Sequence, residues 1–66
     1  MPALVDMLED DWWFARESAA RVLGAIGADA VSAYDKLIDV SVNDDNGMVR
    51  DAAARAAMRI GRPADR

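Results

Sequence analysis

The spacing of apolar residues along the chain is helical, and no segment shows the alternation of a β-strand. Four helices are predicted: a short one opened by Pro2, one over about 12–26, one from about 29 or 30 to 42, and one from an Asp45 or Asn46 cap to Gly61. Proline is tolerated in a first turn, and Gly27 and Gly61 stand where a left-handed residue ends a helix. The fold class is therefore predicted to be all-α.

The third predicted helix carries a clear apolar stripe. Asp29 is suited to cap its start because its side chain can accept backbone N–H groups. We expect the stripe to be buried, and it consists of Val31, Tyr34, Leu37, Ile38 and Val42.

The second half of the chain nearly repeats the first. Residues 10–27 return 34 residues later as residues 44–61, and eight of the eighteen paired positions are identical. The segments before them also match, Leu4-Val5-Asp6 with Leu37-Ile38-Asp39, once a one-residue gap is allowed. A period of this length is typical of stacked repeats, whose units cannot bury their apolar faces alone.

This repetition predicts the domain organisation. We expect one domain over residues 1–66, built as two antiparallel helical hairpins that stack into a short α-solenoid. Repeat 1 covers about residues 1–28, and repeat 2 covers about residues 29–62.

Composition makes the predicted core thin. Of the residues, 53% are apolar, but 14 of these are alanine, and the chain has no cysteine or histidine. A disulfide is excluded, and zinc sites of the usual type are disfavoured, so self-association is the remaining way to stabilise so small a core. We expect a homo-oligomer or part of a longer array.

Charge is distributed unevenly along the chain. Residues 1–49 carry a net charge of −7, and residues 50–66 carry +3. Such asymmetry can orient head-to-tail or antiparallel association. The first ten residues have no basic flank and no apolar run long enough for export, and nothing elsewhere is long enough for a membrane span, so a cytoplasmic protein is expected.

The repeated pattern is Leu-x-Asp, an acidic turn, then apolar-Arg-x-x-Ala-Ala-x-x-Leu-x-x-Ile-Gly. It resembles the short bacterial and archaeal HEAT repeat, also called the phycobilisome-lyase type. The first unit matches at Leu4, Asp6, Asp10, Ala15, Arg16, Ala19, Ala20, Leu23, Ile26 and Gly27, and the second at Leu37, Asp39, Asp44, Val49, Arg50, Ala53, Ala54, Ile60 and Gly61. The chain departs from the pattern at Ala57, where leucine is usual, and at Met58, which replaces the small residue seen as Gly24.

The resemblance implies a ladder of aspartate and arginine between neighbouring units. Arg16 and Arg50 each follow an aspartate, Asp10 and Asp44, by six residues. A guanidinium fork can satisfy backbone groups at a turn and a carboxylate together. We expect Arg50 to be partly buried against Asp10 or Asp44. An anion site is the functional alternative.

Two tryptophans stand at the start of the second helix. Trp12 and Trp13 correspond to Asn46 and Gly47 in the second unit, so the repeat does not require them. Tryptophan is enriched at interface hot spots, and we expect at least one ring to contact a partner or a second copy of the chain. The alternatives are that both rings cover an open end of the core, or that Trp13 fills a position where HEAT units often carry a bulky residue.

Four arginines follow helical spacing near the end of the chain. Arg55, Arg59, Arg62 and Arg66 share one face if the helix persists. Such a stripe could follow phosphates, but the chain is acidic and no aromatic residue interleaves with the arginines. We therefore expect Arg55 and Arg59 to meet solvent or an acidic protein partner, and nucleic-acid binding is disfavoured.

No catalytic constellation is evident. The serines lack an obvious base, and the spacing of the aspartates differs from that of a calcium loop. We expect no cofactor, no metal and no enzymatic activity. The predicted function is a non-catalytic interaction or scaffold module that associates with itself or binds a protein along its second and fourth helices. The alternatives are an accessory subunit related to phycobilin lyases, which the resemblance suggests, and a nucleic-acid-binding module.

Overall fold

The computed structural model describes residues 2–62. Its elements are α1 (Pro2–Met7), α2 (Trp13–Ile26), a 3-10 segment (Gly27–Ala33), α3 (Tyr34–Asn43) and α4 (Gly47–Ile60). No strand occurs in this part of the chain, and the all-α prediction is confirmed.

The helices form two hairpins, α1 with α2 and α3 with α4. Helix α4 packs against both α2 and α3, and α1 packs against α2. The largest fully buried side chains are Leu8, Leu23, Leu37 and Val49. Eight of the fourteen buried core residues in the described range are alanine, so the helices rely on close approach rather than on bulky side chains.

One glycine permits a close approach between the two hairpins. A Cβ atom placed on Gly24 of α2 would lie 3.0 Å from the Cα atom of Ala56 in α4. No side chain larger than glycine fits there unless the backbone moves. The contact therefore sets the separation of α2 and α4.

The segment between the hairpins differs from the prediction. We expected the third helix to begin near Asp29 or Ala30, but residues 27–33 are 3-10 in character and α3 begins only at Tyr34. Ala30 has φ −94° and ψ 20°, outside the helical range, and it is fully buried. The chain must turn tightly after Gly27 to start the second hairpin, and this turn interrupts the helix.

The predicted stripe of the third helix is only partly buried. Leu37 is in the core and Tyr34 packs against it, but Val31, Ile38 and Val42 are exposed. Helical periodicity identified one apolar face, whereas only part of that face is covered by a neighbouring element.

Candidate functional site

An arginine of repeat 1 joins the two repeats. Arg16 Nε donates to Asp44 Oδ2 at 2.8 Å, and Arg16 Nη2 donates to Asp44 Oδ1 at 3.1 Å. Arg16 Nη1 donates to the carbonyl oxygens of Asp10 at 2.8 Å and Asp11 at 3.1 Å. The two paired side chains are 14% and 9% exposed. One guanidinium thus holds its own turn and the turn of the next repeat.

This contact changes the proton affinity of both partners. Burial would raise the pKa of Asp44, but hydrogen bonds from Arg16 and from the Asn46 N–H, with the charge of Arg16, lower the pKa below its ordinary value. The hydrogen bond to Asp44 raises the pKa of Arg16 against the opposing effect of burial. The pair is therefore ionised at neutral pH.

The structure does not place Arg50 as expected. Arg50 is exposed, and its Nη1 donates to the carbonyl oxygen of Asp44 at 2.7 Å, as Arg16 does to Asp10. Within residues 2–62 no carboxylate pairs with Arg50. The ladder contact joins the arginine of one repeat to the aspartate of the following repeat, and none of the described residues supplies a further aspartate for Arg50.

Asp10 holds the matching position in repeat 1. Its Oδ1 accepts the Trp12 N–H at 2.9 Å, as Asp44 Oδ1 accepts the Asn46 N–H at 2.9 Å. Asp10 is exposed, and its carboxylate makes no ion pair with a described residue. The structure therefore brings Arg16 and Asp44 together as a side-chain pair, while Asp10 and Arg50 lie apart from it.

A groove of about 790 Å³ runs between α2 and α4. Small residues form its floor, and charged residues stand beside exposed apolar ones along its sides. We call it the α2–α4 groove; its lining comprises Glu17, Ser18, Ala20, Arg21, Val22, Gly24, Ala25, Gly47, Met48, Asp51, Ala52, Arg55, Ala56 and Arg59.

Two of the predicted partner-binding residues, Arg55 and Arg59, lie in this groove. Arg55 pairs with Asp51 at 2.9 Å, one turn earlier on α4, and Arg21 pairs with Glu17 at 3.7 Å on α2. Arg59 is exposed and pairs with no carboxylate of the described range. The groove therefore carries internally balanced charges and one additional cation.

The predicted arginine stripe does not continue past the helix. Helix α4 ends at Ile60, and Gly61 has φ +86°. Because the chain turns there, Arg62 does not extend the face that Arg55 and Arg59 share. Arg66 lies outside the described residues.

The aromatic residues form a small exposed cluster at the start of α2. Trp12 is 61% exposed and Trp13 is 37% exposed. The Phe14 ring lies 5.4 Å from the Trp12 ring and 5.7 Å from the Trp13 ring, the second pair edge to face. The three rings thus support one another at the surface, outside the lining of the groove.

Sequence reasoning missed several residues of these surfaces. Met48 lines the groove and is exposed, and Glu9 forms an ion pair with Lys36 across the two repeats. The hydrogen bond to Glu9 raises the pKa of the Lys36 amine, against the lowering effect of its partial burial. Met48 could have been found because it repeats the apolar character of Phe14. The ion pair had no signal, since neither residue is repeated.

Other kinds of site have no counterpart in the described part of the chain. No group of three or more acidic, cysteine or histidine side chains is placed to hold a metal ion there. None of the described helices has the length and apolar character that crossing a membrane requires.

Comparison with known proteins agrees with the architecture. A family model for HEAT repeats matches residues 1–58. No curated protein and no solved structure matches the chain. HEAT repeats are generally protein-interaction scaffold modules. With most of its length matched, the chain belongs to the HEAT-repeat family.

Proposed function

We propose that this chain is a non-catalytic scaffold that binds a segment of another protein in the α2–α4 groove. The observation that carries the proposal is the groove itself, a concavity of about 790 Å³ between two helices. Its floor is buried and small, while Val22 and Met48 expose apolar surface along it. Concave sites with mixed apolar and polar linings are the usual sites of recognition.

The charges of the groove favour a partner segment that combines apolar and acidic residues. The pairs Glu17–Arg21 and Asp51–Arg55 neutralise each other locally. Arg59 is exposed and pairs with no carboxylate of residues 2–62, so it can bind a carboxylate of the partner. A charge at the edge of an interface contributes chiefly to orientation and association rate.

The aromatic cluster of Trp12, Trp13 and Phe14 supplies a second contact area. Its rings are already held together, so little side-chain entropy is lost when a partner covers them. Tryptophan side chains dominate many interfaces for this reason and for their area. We propose that this cluster takes part in self-association or in partner binding.

A peptide-selection experiment tests the groove. Peptides selected from a random phage-displayed library against the 66-residue chain should bind Met48→Glu at least about tenfold more weakly, since the substitution places a charge in the apolar part of the groove. Ile38→Glu is the matched control, because Ile38 is exposed on α3 outside the groove lining. Peptides that bind both variants like the wild type would contradict the proposal.

A second experiment tests the aromatic cluster. The double change Trp12→Ser and Trp13→Glu should weaken self-association or partner binding by at least about 2 kcal/mol, the scale of a hot spot. Circular dichroism should show unchanged helical content, because the second repeat forms the same hairpin with Asn46 and Gly47. Full self-association of the double variant in sedimentation velocity, together with undiminished binding of the selected peptides, would limit the rings to a structural role.

A further inference from the structure

The contact between the repeats has two unlike sides. Repeat 1 contributes Arg16 and Gly24, and repeat 2 contributes Asp44 and Ala56. The 34-residue period places a second copy of each side on the surface of the described structure. Repeat 2 therefore has an outer surface equivalent to the surface of repeat 1 that contacts it. Repeat 1 likewise has an outer surface equivalent to the surface of repeat 2 that contacts it.

These two outer surfaces can be defined by residue correspondence. Arg50 and Met58 correspond to Arg16 and Gly24, and Val42 stands two residues before its turn aspartate, as Leu8 does. We call Val42, Arg50 and Met58 the C-terminal end face.

The opposite surface belongs to repeat 1. Asp10, Val22 and Ile26 correspond to Asp44, Ala56 and Ile60 of repeat 2. We call these three residues of repeat 1 the N-terminal end face.

Both end faces expose apolar side chains within the described structure. Met58 is 81% exposed and Val42 is 69% exposed. Val22 is 45% exposed, whereas Ala56, which holds its place in repeat 2, is buried by the contact with α2. Each end face therefore resembles one half of a junction whose other half is absent from the described chain.

We propose that a second copy of this chain stacks head to tail, with the C-terminal end face of one copy against the N-terminal end face of the next. Arg50 then binds the Asp10 carboxylate of the neighbouring copy, as Arg16 binds Asp44 within the chain. The inference rests on the proposed role as an interaction module and names its partner.

Charge supports this arrangement over a symmetric dimer. The C-terminal end face carries Arg50 and the N-terminal end face carries Asp10, so a head-to-tail contact brings opposite charges together. A symmetric contact between two C-terminal end faces would bring Arg50 to Arg50. One between two N-terminal end faces would bring Asp10 to Asp10.

The intermolecular contact cannot copy the internal one atom for atom. Met58 and Val22 stand where Gly24 and Ala56 approach closely within the chain. Helix α4 and the neighbour's α2 must therefore lie farther apart than α2 and α4 do. Interaxial distances of about 8–10 Å are common and depend on the side chains at the contact, and flexible methionine fills irregular space.

A head-to-tail contact has a distinct signature in solution. It uses two different faces, so each added copy leaves one of each exposed, and the assembly grows unless it closes into a ring. The weight-average mass in sedimentation equilibrium should rise past that of a dimer with protein concentration, and it should fall when salt is added. A plateau at the dimer mass would overturn the proposal.

Complementing variants provide the decisive experiment. Ile26→Glu blocks one end face at a residue outside the groove lining, and Met58→Glu blocks the other, so neither variant should associate alone. An equimolar mixture still has one intact pair of faces and should form a heterodimer that stops at two copies. Circular dichroism establishes that each variant is folded. A mixture that associates no better than its components contradicts the head-to-tail arrangement, as does association of Met58→Glu alone.

Two further variants separate this inference from the proposed function. Met48→Glu should lose groove peptides but keep stacking, and Met58→Glu should do the reverse. Arg50→Ala should weaken stacking about tenfold, as expected for loss of an interfacial charge pair, while its matched control Arg59→Ala should leave stacking unchanged. Equal stacking by Arg50→Ala and Arg59→Ala would remove the Arg50–Asp10 contact from the proposal.

Discussion

Leu8 and Val42 hold the same place in the two repeats, two residues before the first aspartate of the turn, but their surroundings differ. Leu8 is 2% exposed in the core, while Val42 lies mostly in solvent. Gly24 and Met58 show the same difference, since α4 covers Gly24 whereas no described element covers Met58. In a stacked repeat, burial depends on which neighbour covers the residue as much as on the residue's place within its own unit.

Arg16 and Arg50 show how this difference extends to charge. Both donate to the carbonyl oxygen of the aspartate six residues earlier. Among the described residues only Arg16 also meets a carboxylate, because Asp44 belongs to the following repeat. Each repeat therefore forms the contact between its arginine and the carbonyl oxygen of its own turn. The ion pair forms where the following repeat supplies an aspartate.

The largest expected effect separates Leu8 from Val42. Leu8→Ala should lower the free energy of unfolding by about 2–5 kcal/mol, because it removes a fully buried side chain and leaves a cavity. Val42→Ala should change it by no more than about 0.5 kcal/mol. Urea denaturation at the lowest usable protein concentration measures both. Similar losses would contradict the assignment of Val42 to an uncovered face.

The next effect concerns the close approach of the hairpins. Gly24→Met installs in repeat 1 the residue that repeat 2 carries at position 58, and it should destabilise the fold by about 1–3 kcal/mol through overpacking against the Ala56 backbone. Met58→Ala, the control at the equivalent position, should stay within about 0.5 kcal/mol. If Gly24→Met melts like the wild type, α2 and α4 are farther apart than the structure indicates.

A smaller effect distinguishes the two turn arginines. Arg16→Ala should lower the melting temperature more than Arg50→Ala, because it leaves the Asp44 carboxylate without its bidentate donor. This corrects the expectation that Arg50 is partly buried against a carboxylate. Equal melting temperatures at neutral pH would show that the ion pair contributes nothing measurable.

The pH dependence of this difference has a definite sign. The pKa of Asp44 is lower in the folded chain than its ordinary value of 3.8, so the folded state binds fewer protons than the unfolded state. The stability from Arg16–Asp44 is fully present above that ordinary pKa and is lost as pH falls through the lowered one. The gap between wild type and Arg16→Ala should therefore close in acid, and thermal melts across this range measure it. A gap that persists at the lowest pH would have another origin.

The smallest effect compares the two helix caps. Asn46 Oδ1 accepts the N–H groups of Met48 and Val49, whereas the Trp12 side chain caps nothing. Trp12→Asn should stabilise the fold by about 0.5–1 kcal/mol, and Asn46→Ala should destabilise it by about 1 kcal/mol. Thermal melts measure both. Loss of stability in Trp12→Asn would mean that the indole packs as a structural element of the first hairpin.

Some features of the site followed from the sequence because they are local. The positions of Gly27 and Gly61 marked the ends of α2 and α4, and both have positive φ. The resemblance to the HEAT repeat implied that the repeated aspartate and arginine meet at the turn. The 3-10 segment around Ala30 had no such signal, because helical propensity does not reveal where a chain must turn to start the next hairpin.

The sequence by itself determined that the chain is a pair of helical hairpins, since helical spacing, end signals and a 34-residue period are all written in the order of residues. Only the tertiary structure decided which member of each equivalent pair is covered. Arg16 meets Asp44 and Gly24 meets Ala56 because the second hairpin stacks on one side of the first. The physical reason is that burial and ion pairing are properties of two surfaces in contact, whereas a repeat pattern describes one surface at a time.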